Sequence, residues 1–417
     1  MRRALAGLLA LAGLWLVLAA ALWWLNVRGD GDMQAAPIAP DDAALIERGA
    51  YLARAGNCQD CHTPRGAAPY SGGRGIPTPF GTVYSSNLTP DAATGIGAWT
   101  AAEFRRALHN GRSRDGRLLY PAFPYDSYTR ISAEDAHALF AFLRSLPAVA
   151  RPNRPHALRF PYDTQLALAV WRALHFRPGR FEPQATQTAD WNRGAYLVQG
   201  LGHCSACHAG RNVLGATRDA AALAGGLIPL QNWYGPGLGG QPAQPVAALL
   251  QHGASDSAAL LGPMAEVVLH STQHLRSDDL LAMAGYLQTL PPGAALQAAA
   301  EDPTPALLQR GAKIYEPRCA HCHGDDGQGR SRAYVPLAGS RAVQREPPAN
   351  LVQVVLGGAF PASTAGNPRP FGMPPFATEL DDADVAAVLS YIRNAWGNRA
   401  GAVQPIDVQR WRSSVRP

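Results

Sequence analysis

The sequence predicts an all-α chain, with three helical domains in tandem behind one N-terminal transmembrane helix. Three observations predict it: a C-x-x-C-H pentapeptide that occurs three times, a similar pair of helices around each copy, and a long apolar segment at the start. The length agrees, since 417 residues at about 150 per domain suggest two or three domains. A hydrophobic content of 47% with 16% charged residues is that of a globular protein and excludes wholesale disorder. The formal charge is +6, there is one lysine (Lys313), and no basic run exceeds a pair, so no nucleic-acid partner is expected.

The first element is the apolar segment. Arg2 and Arg3 precede 22 uncharged, mostly apolar residues, Ala4 to Leu25. At about 1.5 Å per residue these cross a hydrocarbon core of about 30 Å. Trp23 and Trp24 close the segment, as interfacial aromatics do. A cleaved signal peptide has a shorter apolar region, about 7–15 residues, and cleavage after Ala19-Ala20-Ala21 is the competing reading. The favoured reading is a retained anchor, residues 1–32, with the arginines in the cytoplasm and the rest on the periplasmic side of a bacterial inner membrane.

The six cysteines form three pairs, CQDCH at 58–62, CSACH at 204–208 and CAHCH at 319–323, and none is left over. This pattern attaches c-type haem: two thiols bond the porphyrin and the adjacent histidine binds iron. Zinc ribbons place two C-x-x-C knuckles some 15–20 residues apart, whereas the gaps here exceed a hundred residues. Redox dithiols do not need a following histidine. Three covalently bound haem c groups are therefore expected, on Cys58, Cys61, Cys204, Cys207, Cys319 and Cys322, with His62, His208 and His323 as iron ligands.

Each motif closes a similar helix, RGAYLARAGNCQDCH from Arg48, RGAYLVQGLGHCSACH from Arg193 and RGAKIYEPRCAHCH from Arg310. Each unit ends in a helix with an aromatic–aliphatic pair, Phe142-Leu143, Tyr286-Leu287 or Tyr391-Ile392. Ser132 with Asp135, and Ser277 with Asp278 and Asp279, read as the caps that open the first two of these closing helices. Gly49, Gly194 and Gly311 let the closing helix cross close to the opening one. This arrangement resembles the class I cytochrome c fold, which implies domains at 40–150, 188–292 and 306–400. The Pro-rich segment 151–187 reads as a linker containing a helix over 164–176, whose apolar face is expected to pack on the first domain, with packing on the membrane the competing reading. Residues 293–305 read as a second linker and 401–417 as a polar tail.

A methionine sulfur commonly occupies the second axial position of such an iron. The chain has five methionines. Met1 starts it, Met33 follows the anchor, and Met283 falls inside a closing helix where it fills core. Met264 in LGPMAEVV and Met373 in FGMPPFATEL each lie beside a proline and ahead of a closing helix, 56 and 50 residues after His208 and His323. Both are candidate iron ligands. The corresponding stretch of the first unit, LLYPAFPYDSYTRIS, places Phe123 at that position, and phenylalanine cannot ligate. The first haem then has an open or water-filled position or takes a ligand from elsewhere, with His109, His137, Tyr120 and Tyr125 the nearby side chains.

The segments IPTPFGTVYSSNLTPDAATGIGAWTAAEFRRALHNG (76–111), GPMAEVVLHSTQHLRSDDLLAMAGYLQTLP (262–291) and GMPPFATELDDADVAAVLSYIRNAWGN (372–398) together resemble the tri-haem cytochrome c subunits of membrane-bound periplasmic dehydrogenases. That family includes the cytochrome subunits of quinoprotein alcohol dehydrogenase and of flavin-dependent gluconate, sorbitol and fructose dehydrogenases. The resemblance implies electrons taken from a catalytic dehydrogenase subunit and passed to ubiquinone or a terminal oxidase. The alcohol dehydrogenase subunits have YPAMPY where this chain has YPAFPY, and the phenylalanine version resembles cytochromes that accompany molybdenum hydroxylases. The catalytic partner is thus of molybdenum hydroxylase, flavin or quinoprotein type.

No P-loop, G-x-S-x-G or H-E-x-x-H is present, so no catalytic residue is expected in this chain. Two other functions compete with that of an electron-transfer subunit. A peroxidase using an open first haem needs a distal acid–base group, for which Asp126 is the sole candidate in AFPYDS. A freestanding membrane-anchored carrier would instead link a quinol-oxidising complex to a terminal oxidase, with no catalytic subunit of its own.

Overall fold

Three times in this chain a helix bearing an Arg-Gly pair crosses a later helix at backbone contact. Helix Ala43–Ala55 crosses Ala133–Ser145, helix Ala189–Gln199 carries the second pair against Ser277–Thr289, and Pro305–Arg318 crosses Asp382–Ile392. A methyl group on Gly49, Gly194 or Gly311 would lie 1.9, 1.9 or 2.2 Å from the carbonyl oxygen of Ala138, Ala282 or Ala387. Only glycine permits that approach.

A second contact locks each crossing. The arginine before the glycine reaches a carboxylate one turn before the contacted alanine: Arg48–Asp135 at 2.6 Å, Arg193–Asp279 at 2.7 Å and Arg310–Asp384 at 2.7 Å. Asp135 and Asp279 are buried and Asp384 is half-buried. One arginine therefore fixes both the rotation and the register of its helix pair. Aromatic rings of the closing helices complete the contact, with Phe142 edge-on to Tyr70, Tyr286 to Trp191, and Tyr391 tilted against Tyr315.

The computed structural model describes residues 2–28, 42–293, 301–330 and 333–412. It groups into two units: Met1–Ala185 with Tyr196–His203 and Asn212–Ala216, and Thr186–Ala195 with Cys204–Arg211 and Thr217–Pro417. The first crossing belongs to unit 1 and the other two to unit 2. Met33, residues 40–41, most of the linker 293–305 and the last five residues of the tail lie outside the described residues.

The chain is largely helical, yet the all-α expectation omits two small sheets. In unit 1, β1 (Gly75–Thr78), β2 (Gly81–Tyr84) and β3 (Ala157–Leu158) form an antiparallel ribbon in the order β1-β2-β3, pairing Ile76 with Val83 and Gly81 with Leu158. In unit 2, β4 (Gly225–Leu227) pairs with β5 (Tyr234–Pro236). These strands are two to four residues long and rich in glycine and proline. They are too short to show an alternating pattern, and that composition reads as loop.

Two further expectations are corrected. Ser132 does cap its helix, accepting from the Asp135 amide at 3.1 Å. Ser277 does not: Arg276 holds the cap position, and the Ser277 hydroxyl accepts from Gln251 at 3.4 Å. The polar tail is in part a packed helix, Pro405–Arg412, with Val408 and Trp411 buried. Arg412 ties it down through Asp382 at 2.5 Å and the carbonyls of Ala377 and Leu380. Beside it, the fully buried guanidinium of Arg393 pairs with Glu346 and donates to the Val343 and Arg345 carbonyls.

Helix Arg2–Val27 is the one described helix long and apolar enough to cross a membrane, by length and composition. Its first five turns are exposed, and only its C-terminal end, around Asn26, is covered. Helix Gln165–His175 forms over the expected residues, but its burial differs from expectation. Leu168 and Arg172 pack inward, while Leu166, Val170 and Leu174 stay exposed. Its apolar residues occupy two faces, of which one is buried, where Arg172 lies against Tyr125 and Gly111.

Candidate functional site

Each C-x-x-C-H folds as one short helical turn: Cys58–His62, Ser205–His208 with Cys204 as its cap, and Ala320–His323 with Cys319 as its cap. Positions i, i+3 and i+4 share a helix face, so this turn presents both sulfurs and the imidazole on one side. No disulfide joins any two of the six cysteines. Burial pushes the Cys58 and Cys204 thiols up to about 12 and that of Cys319 up to about 11. A redox dithiol is shifted the other way, toward the thiolate. Among the described residues no three or more His, Cys, Asp or Glu side chains gather as a metal cluster.

The three histidines share one hydrogen bond. Nδ1 of His62 lies 2.7 Å from the Ser86 carbonyl, that of His208 2.7 Å from Pro236, and that of His323 3.2 Å from Val335. Since a carbonyl can only accept, Nδ1 carries the proton and Nε2 keeps its lone pair. Burial lowers all three pKa values, and the carbonyl bonds offset this in part, so each ring is held as neutral imidazole. A metal-binding histidine is oriented in the same way by its second ring nitrogen. Two thiols and a lone-pair nitrogen on one turn are the donor set of a covalently attached haem, and the residues fit that group.

The supporting carbonyls are brought in by neighbouring segments. In unit 2, β5 approaches the motif so closely that a methyl group on Gly235 would lie 2.1 Å from the Cys207 carbonyl, and the next residue, Pro236, receives His208. In the third motif the Tyr315 hydroxyl donates to Gly324, next to His323, at 2.6 Å. The sequence reading missed Ser86, Pro236 and Val335, because a backbone carbonyl carries no side-chain signature.

Met264 is the second residue of helix Pro263–His270 and half-buried. Two residues earlier, Gly262 packs on the ring of Trp233, which leads into β5 and so toward the His208 partner. Met373 is half-buried on an irregular segment held by two bonds to Ala359, at 2.8 and 3.1 Å. It flanks the same apolar cluster as Cys319, around Val352, Val355, Leu356 and Ile392. Met283 is buried inside its helix.

Phe123 sits on the turn closed by its amide to the Tyr120 carbonyl at 3.0 Å, its ring 5.4 Å from that of Tyr128. The Tyr128 hydroxyl in turn donates to Gly56, two residues before Cys58. The structure thus places Phe123 beside the first motif's aromatic wall, and Tyr125 is buried against Phe176 and Arg172.

His109 is buried, and its Nε2 has no hydrogen-bond partner among the described residues. Burial, reinforced by Arg105, lowers its pKa to about 4. The unfolded chain, with a histidine near about 6.5, therefore binds more protons than the fold between those values. This contribution to stability is complete above the unfolded pKa and is lost as pH falls toward 4, at most about 3 kcal/mol. Urea midpoints measured at pH 7 and 4.5 are expected to fall less in His109→Gln than in the parent protein.

Comparison with known proteins decides the family. The chain matches the Cytochrome c family over residues 46–147 and 308–396. It is 38% identical over 406 residues to the cytochrome c subunit of a quinone-type alcohol dehydrogenase from Gluconacetobacter polyoxogenes, covering 91% of this chain and 86% of that one. The chain belongs to the dehydrogenase cytochrome c subunit family. The gluconate 2-dehydrogenase cytochrome c subunit of Pantoea cypripedii is likewise 38% identical, over 400 residues, covering 89% of this chain and 90% of the relative. A nicotinate dehydrogenase subunit from Pseudomonas putida is 38% identical over 397 residues, 91% of this chain but 33% of that longer protein. Covalently bound haem c is the cofactor of cytochromes c, and electron transfer is their function.

Proposed function

We propose that this cytochrome c subunit carries three covalent haem c groups and passes electrons from a periplasmic dehydrogenase subunit to ubiquinone or a terminal oxidase. The observation that carries the reading is the threefold C-x-x-C-H turn whose histidine Nδ1 is tied to a backbone carbonyl. Cys58 and Cys61, Cys204 and Cys207, and Cys319 and Cys322 are the attachment residues. His62, His208 and His323 are the proximal ligands, and Met264 and Met373 the distal ligands of the second and third haems. Haem c, when bound, supplies a one-electron store. The chain's part is to hold each imidazole neutral and oriented, and to surround each site with apolar side chains. The relatives' names support a catalytic dehydrogenase as partner. The apolar Arg2–Val27 helix supports a retained anchor in the inner membrane.

Haem content tests the count directly. Purified chain is expected to hold three haems by pyridine haemochrome assay against protein mass. The double variant Cys204→Ala/Cys207→Ala is expected to hold two. A parent value of two would remove one C-x-x-C-H from the proposal, and co-purification without any large catalytic chain would favour a freestanding carrier.

A further inference from the structure

We propose that helix Gln165–His175 is an interfacial membrane helix whose Leu166, Val170 and Leu174 rest in the headgroup region of the bilayer crossed by Arg2–Val27. The inference rests on the anchor reading above and extends it to a second contact.

The three residues lie four apart on one face and are 68%, 43% and 59% exposed. The opposite face, Leu168 and Arg172, is buried. Such a stripe on an 11-residue helix, about 16 Å long, has either a lipid or a protein cover. Its attachment to the anchor decides between them. Asn26, in the last turn of Arg2–Val27, donates to the Ala169 carbonyl at 3.1 Å and accepts from Arg172 Nε at 3.0 Å. Arg28 donates to the Phe176 carbonyl at 3.2 Å. The helix is thereby fastened to the anchor within about one turn of Trp23 and Trp24, the pair that marks the membrane surface. A helix held at that level meets lipid before it meets a soluble partner.

The charges agree with an anionic surface. Arg177 is exposed at the C-terminal end of the helix, and Arg28 is near enough that, after burial, Arg177 is the next cause lowering its pKa. Two guanidinium groups at one point of the interface suit anionic headgroups. Phe160, on the segment leading into the helix, is 82% exposed.

The test uses the full haem-loaded chain in vesicles of phosphatidylethanolamine and phosphatidylglycerol. Leu166→Cys, Val170→Cys and Leu174→Cys are made one at a time and labelled with an environment-sensitive fluorophore, the native cysteines being occupied by haem. Each label is expected to show blue-shifted emission and to lose most of its intensity to lipids brominated near the headgroup, while resisting aqueous iodide. Leu14→Cys reports the anchor separately, by quenching from lipids brominated deep in the chains. Quenching at Leu14 with water-like emission at all three helix positions overturns the inference and leaves the anchor standing. A mature chain lacking residues 1–21 overturns the anchor, and quenching at the three positions in that chain still supports the interfacial helix. Labels shielded from iodide but untouched by brominated lipid mean a protein cover, and sink it.

Discussion

Gly194→Ala is expected to destabilise the protein by at least about 3 kcal/mol, lowering the thermal midpoint by roughly 6–12 °C. The added methyl carbon would lie 1.9 Å from the Ala282 carbonyl oxygen and 2.4 Å from its carbon. Both atoms are backbone, so no rotamer change relieves the overlap and the helices must separate. Separation also lengthens the Arg193–Asp279 pair, weakening one of the ion pairs that a buried carboxylate makes. Gly285→Ala, on the partner helix, is the control. A methyl there meets nothing within 4 Å, so the change is expected to be neutral or to stabilise by up to about 1 kcal/mol through helix propensity. Scanning calorimetry of the two holoproteins separates the outcomes. Equal small effects would mean that the crossing is looser than described.

How much of this was legible in the sequence follows from the range of each interaction. The C-x-x-C-H turns, the Arg-Gly pairs and the Ser132 cap are local patterns, and the structure forms each where it was read. The Arg48–Asp135, Arg193–Asp279 and Arg310–Asp384 pairs span 74 to 87 residues. The arginines were visible as a repeat, and Asp135 and Asp279 as apparent helix-capping acids, while Asp384 was not singled out. A capping acid and an ion-pairing acid look alike until the helices cross. Helix Pro405–Arg412 escaped for a different reason. Val408 and Trp411 are its sole buried residues, so two apolar positions among charges carried the whole signal. On Gln165–His175 the periodicity correctly gave a helix, yet it could not show that one apolar face is buried and a second left open.

Met373→Ala and Phe123→Met are expected to move the number of sulfur–iron charge-transfer bands per chain in opposite directions, from two to one and from two to three. The Met373 backbone is held on both sides by its bonds to Ala359 and followed by Pro374 and Pro375, so truncation removes the thioether without freeing the loop. The third haem is then expected to become high-spin or differently ligated and to fall in potential, since His/Met ligation raises it. Phe123 is half-buried on a turn fixed by Tyr120 and Pro124, and methionine is an unbranched apolar residue that adapts to such a space. On the proposed ligand set, its sulfur would supply the donor missing from the first unit at the position where the other two carry Met264 and Met373. A third band with a raised first-haem potential would mean that the three units differ there in one side chain alone. An unchanged spectrum in Phe123→Met would mean that the Tyr125 and Tyr128 rings hold residue 123 away from the iron, and the alignment of the first unit with the others would fail at that residue. An unchanged spectrum in Met373→Ala would return Met373 to the apolar cluster it flanks and leave the third iron's second ligand to another side chain.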